Sequence, residues 1–439
     1  MEETHVFTCV LRQGGEVLLV RRSESVGTYT GRWGMVSGYA EGDPDGAARR
    51  EIEEETGLGD AADLVRAGDP FAVEDAALDR RWVVHPYLFD CGSRDVDPNE
   101  EVADWEWTAP TAILRRETVP DLWRSYRRVA PTVETVRTDR THGAAYISLR
   151  AMEVLRDRAA ELAFGDADGD RGTSGGRGGS TAAWDELVDL ATELLDARPS
   201  MTVVANRVNR LMSEAADGRT AASVERAARD RIRRALAADR DAALAAAERI
   251  ADLRVATLSR SGTVLDALFR GEPAAVLLPE SRPGGEGVAV AERLAAAGLD
   301  VTLTTDAALA HAIARRDVDA VVFGADTVLS DGRVVNKVGS RAAALAGRHE
   351  HCAVYAVAAR DKISPGGEPH TDERDPGELY DGDADLTVAN PTFDVTPSDL
   401  LDGVVTEDGT LVPADVRAVA RDHRQLTDWQ PDRDATNGG

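Results

Sequence analysis

The stretch "VVFGADTVLSDGRVVNKVGS", residues 321–340, starts as an apolar strand and continues into polar residues around Lys337. Lysine is rare in this chain, because Lys337 and Lys362 are the only lysines among 51 lysines and arginines. Four further apolar runs, "RVATLS", "AAVLLPE", "DVTLTTD" and "AVYAVAAR", flank this stretch and are separated by segments of helical length. Such alternation predicts a parallel sheet with helices on both faces.

Polar residues follow the ends of these strands, and in such sheets ligands bind beyond the carboxyl ends. We call this set the rim; its candidate ligand-binding residues are Ser259, Ser261, Arg282, Asp326, Asn336 and Lys337. Helix N-termini, hydroxyls and cations suit a phosphate, and an aspartate suits sugar hydroxyls. The rim therefore predicts binding of a phosphorylated sugar or a nucleotide, although each residue taken alone could be a cap or turn residue.

Composition excludes several classes of protein. A net charge of −27 and a pI near 4.7 argue against direct nucleic-acid binding, which needs a basic surface. Acidity with so little lysine is typical of a salt-loving archaeon, whereas a GC-rich genome alone would explain only the arginine. Three scattered cysteines predict neither a disulfide framework nor a zinc site. With no signal peptide and no long apolar run, we expect a cytoplasmic protein without membrane contact.

A second informative stretch is "GYAEGDPDGAARREIEEETGL", residues 38–58. From Asp45 onward it predicts a helix, and Glu51, Glu54 and Glu55 then share one face. Like charges at these spacings repel by a few tenths of a kcal/mol per pair, roughly, on a solvated helix. A hard divalent cation with oxygen ligands would remove this repulsion, whereas an exposed acidic helix is the alternative.

The order "REIEEETGL", residues 50–58, resembles the core of the Nudix box, and the resemblance covers about residues 1–125. It implies an α/β/α sandwich, with Mg²⁺ or Mn²⁺ held by Glu51, Glu54, Glu55 and the backbone of Gly38. Arg50 would keep the glutamates in register while water attacks a nucleoside diphosphate linked to another group. The spacing from Gly38 to Arg50 is two residues shorter than in the family, so Asp43 or Glu41 must replace one family glutamate.

The second half resembles the initiation factor 2B alpha/beta/delta family, which includes methylthioribose-1-phosphate isomerase and archaeal ribose-1,5-bisphosphate isomerase. The matching motifs are "ESRPGGEG", "VFGADTVLSDGRVVNKVGS", "NPTFDVTP" and "VVTEDG", with "HGAAYISLRA" and "ARPSMTVVANRV" in a helical part before them. The resemblance implies that Asp326, Asn336 and Lys337 face a sugar phosphate. It also implies a homo-oligomer, a dimer or higher, formed through this half.

One departure bears on activity. The isomerases use a cysteine on the loop after the first strand of the sheet, and Ser259 occupies that position here. A serine hydroxyl is far less acidic than a thiol, so we expect ligand binding without isomerisation. The alternatives are a bifunctional enzyme that still isomerises ribose 1,5-bisphosphate, and a regulatory binding protein related to translation.

These observations predict an α/β chain with four segments. We expect a Nudix hydrolase domain over residues 1–128 and a helical part over 129–250. A Rossmann-like ligand-binding part over 251–426 and a polar tail over 427–439 follow.

Overall fold

A computed structural model of the chain describes residues 2–40, 44–169, 178–258, 260–369 and 373–430. The chain divides into two compact units, the first comprising 1–136, 149–191 and 217–233 and the second 137–148, 192–216 and 234–439. The helices expected to form one helical part are thus divided between the units. The four predicted segment boundaries stay predictions.

The strands of the first unit form one eight-stranded sheet. They are β1 Glu2–Gln13, β2 Glu16–Arg22, β3 Trp33–Gly34, β4 Val36–Tyr39, β5 Ala62–Ala67, β6 Phe71–Asp75, β7 Arg80–Cys91 and β8 Val102–Thr108. Strand β1 pairs with β7 in parallel and with β2 and β4 antiparallel, so it lies centrally. Gly14 and Gly15 form the tight turn between β1 and β2, because both adopt positive φ angles and Gln13 pairs with Glu16.

Helices cover both faces of this sheet. The α-helices of the chain are α1 Pro44–Thr56, α2 Leu122–Val129, α3 Val133–Thr138, α4 Ala144–Gly169, α5 Gly178–Ala197, α6 Thr202–Ala215, α7 Ala221–Ile250, α8 Gly262–Gly271, α9 Glu286–Ala296, α10 Leu309–Arg315, α11 Ser340–His349 and α12 Pro413–Arg424. Ile52 of α1 belongs to the apolar cluster of Phe7, whereas Tyr126 of α2 belongs to the cluster of Val10. Because neighbouring residues of a strand face opposite sides, this places α1 and α2 on opposite faces. The predicted α/β/α sandwich is confirmed.

Buried charges join α4 to the β1–β2 turn within the first unit. Arg156 donates to the carbonyl oxygen of Gly15 at 2.6 Å and to the carboxylate of Asp157 at 2.8 Å. The hydroxyl of Tyr126 donates to the other oxygen of Asp157 at 2.6 Å. Since a buried charge without partners is strongly destabilising, this network fixes one packing geometry between helix and turn.

The second unit contains a seven-stranded sheet in the order β11-β10-β9-β12-β15-β17-β18. Its strands are β9 Arg254–Ala256, β10 Ala275–Pro279, β11 Val301–Thr304, β12 Ala320–Gly324, β15 Ala353–Val357, β17 Gly403–Thr406 and β18 Gly409–Leu411. All neighbours are parallel except β17 and β18. The strand order reverses between β9 and β12, which is where doubly wound sheets bind ligands.

Both faces of this sheet are buried. Phe323 belongs to one apolar cluster together with residues of α11 and α12, and Val322 belongs to another with residues of α8 and α9. The predicted Rossmann-like parallel sheet is confirmed. The sequence did not predict β17 and β18, because each is too short for a clear pattern.

A small antiparallel sheet follows β12 and contains the sequence around Lys337. It consists of β13 Thr327–Val328, β14 Val334–Lys337 and β16 Phe393–Thr396. Asn336 pairs with Asp394, and Lys337 pairs with Phe393, so β14 ends with both polar residues held by a ladder.

Short 3-10 helices complete the described elements. They span Gly59–Ala61, Pro110–Arg115, Asp306–Ala308, Arg360–Lys362, Pro376–Glu378, Ser398–Leu400 and Gln425–Thr427. Within the described residues, every helix is too short or too polar to cross a membrane.

Candidate functional sites

Helix α1 presents its carboxylates at different depths. Glu55 is only 5% exposed, and burial raises its pKa to about 8, with the charge of Glu51 contributing next. The backbone N–H of Ser37 donates to Glu55 at 3.5 Å and acts in the opposite direction. A buried carboxylate with so weak a donor lacks compensation for its charge.

Glu51 connects the members of this cluster. Its pKa is raised by burial first and then by the charges of Glu54 and Glu101, whereas Arg50 lowers it. Glu54 and Arg50 are both exposed. The three predicted glutamates and Arg50 therefore interact electrostatically around Glu51.

Gly38 forms the wall beside Glu51. A Cβ atom at residue 38 would lie 2.5 Å from a carboxylate oxygen of Glu51 and 2.7 Å from the ring of Phe7. Any side chain here would therefore displace Glu51, which gives this glycine a steric role. Glu41 and Asp43, the predicted substitutes for the family glutamate, lie outside the described residues.

A pocket of about 440 Å³ opens beside Glu51 and Gly38. Its wall contains Arg22, Tyr29 and Trp82, and apolar side chains from β1, β6 and β7 also line it. The hydroxyl of Tyr29 donates to Asp75 at 2.7 Å and accepts from the indole N–H of Trp82 at 3.2 Å. These bonds fix two aromatic rings next to the carboxylates, so the pocket can hold a ligand with both an apolar and an anionic part.

Sequence reasoning missed several residues of this pocket. Glu101, a fourth carboxylate, lies on the pocket wall directly before β8. Arg22 lies at the end of β2 and donates through Nε to the carbonyl oxygen of Thr28 at 2.9 Å. Strand-end position was the available signal for both residues.

The described residues contain no preformed group of three or more His, Cys, Asp or Glu arranged to hold a metal ion. The donor chemistry nevertheless fits a hard cation, because Mg²⁺ prefers carboxylate oxygens. A cation between Glu51 and Glu55 would also relieve the charges that raise both pKa values. The cluster fits the predicted cation in chemistry, and its coordination geometry is not formed.

The second candidate site lies where the strand order reverses. Ser261 follows β9 and begins α8, and its hydroxyl accepts from the N–H of Val264 at 3.4 Å. A Cβ atom on Gly324, at the end of β12, would lie 2.5 Å from the Ser261 hydroxyl oxygen and 3.8 Å from the amide oxygen of Asn336. The structure thus brings Ser261 and Asn336 together at Gly324. Ser259 lies outside the described residues.

Asp326 lies between the two lysines of the chain. Burial raises its pKa, and the charges of Lys362 and then Lys337 oppose that rise. The ammonium of Lys362 donates to the carbonyl oxygen of Ala325 at 2.6 Å. Sequence reasoning missed Lys362, although its rarity was the same signal that singled out Lys337.

A second layer of polar residues holds Lys362 in place. The neighbouring Asp361 accepts from Arg207 at 3.3 Å and lies 3.4 Å from Arg210. The amide of Asn206 donates to the carbonyl oxygens of Asp361 and Ile363, each at 2.8 Å. Helix α6 therefore positions the short segment from which Lys362 reaches the rim.

Lys337 and Asn336 are buried and already have partners. Lys337 is 9% exposed, and its ammonium donates to a carboxylate oxygen of Glu286 at 2.7 Å. The amide of Asn336 donates to the hydroxyl of Ser340 at 2.8 Å. Glu286 is a further rim residue that the sequence did not suggest.

Arg282 differs from the other predicted rim residues. Its side chain is 66% exposed and pairs with Glu280 at 3.0 Å. Its backbone N–H donates to Asp306 at 2.8 Å. The loop is thus held by its backbone, and the guanidinium extends to solvent.

Comparison with known proteins agrees with this geometry. A family model described as the Initiation factor 2 subunit family matches residues 140–413, and one described as the NUDIX domain matches residues 1–129. Ribose 1,5-bisphosphate isomerase of Archaeoglobus fulgidus is 31% identical over 65% of this chain and 90% of its own length. The enzyme of that name from Haloferax volcanii is also 31% identical, over 67% of this chain and 91% of its own length.

Solved structures show the same fold. The translation initiation factor eIF-2B of Pyrococcus horikoshii superimposes with a TM-score of 0.53 at 25% identity, over 65% of this chain and 97% of that one. The 5-methylthioribose 1-phosphate isomerase of the same organism gives a TM-score of 0.51 at 20% identity, over 74% of this chain and 90% of that one. The chain therefore belongs to the Initiation factor 2 subunit family and carries a NUDIX domain in residues 1–129.

Proposed function

We propose that the first unit hydrolyses the diphosphate linkage of a nucleoside diphosphate derivative with the help of Mg²⁺ or Mn²⁺. The observation that supports this most is a pair of carboxylates that repel each other, half-buried Glu51 and buried Glu55, beside a pocket with aromatic and cationic walls. Glu51, Glu54 and Glu55 would hold the cation, with the backbone of Gly38 beside them. When bound, such a cation supplies an activated water and stabilises charge on the phosphates.

The residues of the chain itself have separate tasks in this proposal. Arg22 lies on the pocket wall, where its charge attracts the diphosphate. Tyr29 and Trp82 supply aromatic wall against which the remaining part of the substrate can pack. Arg50 acts on Glu51 from the exposed side of the helix and favours its ionised form.

A hydrolysis assay tests this proposal. We expect Mg²⁺-dependent release of product from at least one nucleoside diphosphate derivative, and we expect Glu54→Gln to abolish it without unfolding the chain. The matched control is Glu53→Gln, because Glu53 is exposed on the same helix and its carboxylate accepts from the N–H of Gly59. Equal rates for Glu54→Gln and the parent would remove the cluster from the mechanism.

We propose that the second unit binds a phosphorylated sugar or a nucleotide at the rim. Asp326 with Lys337 and Lys362 supports this, since the carboxylate can accept from sugar hydroxyls while the two ammonium groups donate to phosphate oxygens. Ser261 and Asn336 add polar groups at the same strand ends, and Arg282 can reach a ligand only from solvent. We further propose that Ser259 leaves this site without isomerase activity.

A specific observation favours a second candidate. Two relatives that are 31% identical over nine-tenths or more of their length are ribose 1,5-bisphosphate isomerases. Calorimetry with ribose phosphates and a product assay on the full chain distinguish the two candidates. Binding without turnover is the expected result, and robust isomerisation of ribose 1,5-bisphosphate would show that Ser259 is no obstacle.

We also propose a homo-oligomer formed through the second unit. A tetrameric eIF2B-beta2-delta2 complex from C. thermophilum shares the fold, with a TM-score of 0.50 at 21% identity. Light scattering in molar KCl is expected to give a dimer or larger species. A single species near the chain mass of 46.9 kDa would contradict this expectation.

A further inference from the structure

We infer that Glu286 is a specificity-determining residue of the rim, whose carboxylate competes with a ligand phosphate for Lys337. This inference rests on the proposed binding of a phosphorylated ligand by the second unit. It assigns to one acidic residue the control of how tightly that ligand is held.

The contact between Glu286 and Lys337 resembles the one a phosphate would make. One carboxylate oxygen of Glu286 accepts from the ammonium of Lys337 at 2.7 Å, which is the distance of a strong charge-assisted hydrogen bond. Lys337 is 9% exposed and Glu286 is 25% exposed. Little of the ammonium is therefore accessible while this bond is intact.

The second oxygen of Glu286 is buried and has no hydrogen-bond partner among the described residues. A carboxylate buried for structural reasons normally has both oxygens satisfied. Burying this oxygen without a partner costs free energy, which the hydrogen bond from Lys337 to the other oxygen must offset. Such a group gains from moving into water when another anion takes over Lys337.

The loop before α9 passes close to the carboxylate of Glu286 at Gly284. A Cβ atom on Gly284 would lie 2.7–2.8 Å from the Glu286 carboxylate atoms. A side chain at residue 284 would therefore push the Glu286 carboxylate away from its present position beside Lys337. Gly285 adopts a φ of 70° just before α9 begins, which glycine does at no steric cost.

The charges at the rim determine what an incoming phosphate must displace. Glu286 interacts with the charges of Lys337 and Arg374, and Asp326 with those of Lys362 and Lys337. The ammonium of Lys337 is thus already shared by two carboxylates, and an incoming phosphate must displace Glu286 to reach it. The rim is expected to select ligands whose other contacts are strong enough to drive that exchange, and to reject inorganic phosphate.

If Glu286 only stabilises helix α9, the experiment should give a different outcome. An acidic residue in the first turn of α9 stabilises the helix by favourable interaction with its N-terminus. In that case neutralising Glu286 would lower thermal stability and leave ligand affinity unchanged. Affinity and thermal midpoint must therefore be measured on the same samples.

The experiment uses the full chain, calorimetry, and two probes, inorganic phosphate and ribose 5-phosphate. The variants are Glu286→Gln, Lys337→Ala and the double variant, and Glu292→Gln is the control because Glu292 is an exposed glutamate on the same helix. We expect Glu286→Gln to bind both probes about tenfold or more tightly than the parent, the effect of freeing one charged hydrogen-bonding group. In the Lys337→Ala background the same change should alter affinity less than about twofold, because the site of competition is gone.

Each result has one meaning. Unchanged or weaker binding in Glu286→Gln, with Lys337→Ala weaker than the parent, would overturn the competition and leave the proposed binding function intact. Equal tightening in both backgrounds would also overturn it, since the effect would then be general electrostatics. Failure of the parent and of Glu286→Gln to bind either probe would overturn the inference together with the proposed binding function.

Discussion

Burial raises the pKa of both Glu55 in α1 and Asp326 in the rim, yet the two carboxylates differ in the sign of the nearest charges. Glu55 faces Glu51, so burial and like charge act in the same direction on its pKa. Asp326 faces Lys362 and Lys337, which oppose the effect of burial. The first site is thus electrostatically incomplete, whereas the second already contains opposite charges supplied by the chain.

This difference determines what binding must do at each site. At α1 a metal cation adds positive charge beyond that of Arg22, which only partly opposes the rise in the Glu55 pKa, so metal binding and stability should rise together. At the rim a ligand exchanges one set of ionic contacts for another, so its affinity depends on a difference between two strong interactions. Two sites whose carboxylates both have raised pKa values can therefore differ in what a ligand must do: one requires an added cation, and the other requires the exchange of existing ionic contacts.

The largest expected effect concerns Glu55. Glu55→Gln should lower Mg²⁺-dependent hydrolysis by about 100- to 1,000-fold, as loss of one charge-stabilising group does in other enzymes. In buffer with a chelator the same variant should be about 1–2 kcal/mol more stable than the parent, because a buried charge facing Glu51 is gone. Steady-state rates and chemical denaturation measure the two effects.

The control for Glu55 is Glu53→Gln, which changes the same charge at an exposed position of α1. Its rate should stay within about threefold of the parent, since surface changes have small effects. If Glu55→Gln were less stable than the parent in chelator, the first site would not be electrostatically incomplete.

The next effect concerns Lys337. Lys337→Ala should weaken binding of a phosphorylated sugar by about ten- to a hundredfold, because a hydrogen bond to a charged group contributes about 1.5–3 kcal/mol. Arg293→Ala is the control, since it removes one exposed positive charge from α9. Equal affinities for Lys337→Ala and this control, measured by calorimetry, would show that Lys337 has no role in binding.

A smaller effect is expected at Lys362, the other cation of Asp326. Lys362→Met keeps the length of the side chain but leaves the Ala325 carbonyl oxygen without its donor. We expect the free energy of unfolding to fall by about 1–3 kcal/mol, the usual effect of a buried unsatisfied group. Denaturant titration measures this change, and unchanged stability would mean that the rim does not depend on its own cations.

The smallest effect comes from Glu407, a half-buried carboxylate whose pKa no neighbouring cation lowers. Burial raises its pKa to about 7, although the N–H of Arg360 donates to it at 3.0 Å. The folded chain therefore binds this proton more tightly than the unfolded chain does. Its stabilising contribution is complete below about pH 4.5 and is lost as the pH rises to about 7.

The test for Glu407 compares unfolding free energies of the parent and Glu407→Gln from pH 4 to pH 8. The difference should shift by about 1–2 kcal/mol in favour of the variant across this range, after allowance for solvent screening. A constant difference would mean that Glu407 is not perturbed in the folded chain.

Local patterns of the sequence predicted much of the fold. The Gly14–Gly15 turn, helix α1 and the five alternating strands of the parallel sheet depend on neighbouring residues, so their patterns are visible in the chain. The position of Asp326 at a strand end followed from the topology of such sheets.

The missed features all depend on contacts between distant residues. Lys362 is 36 residues from Asp326, as their numbers give, and only the adjacent pairing of β12 and β15 brings their segments together. Glu286 reaches Lys337 from a different strand–helix connection, and Glu101 reaches Glu51 from across the sheet. No spacing rule within a single segment predicts such pairs.

The bond from Arg156 to the Gly15 carbonyl oxygen has a consequence for the ancestry of the chain. Gly15 lies in the segment matched as a NUDIX domain, whereas Arg156 lies in the segment matched by the other family. A Cβ on Gly15 would also lie 2.6 Å from Ile232 of that second segment. The two inherited segments therefore share one interior, and exchanging either one alone would put a buried hydrogen bond and a tight apolar contact at risk, so both must change together.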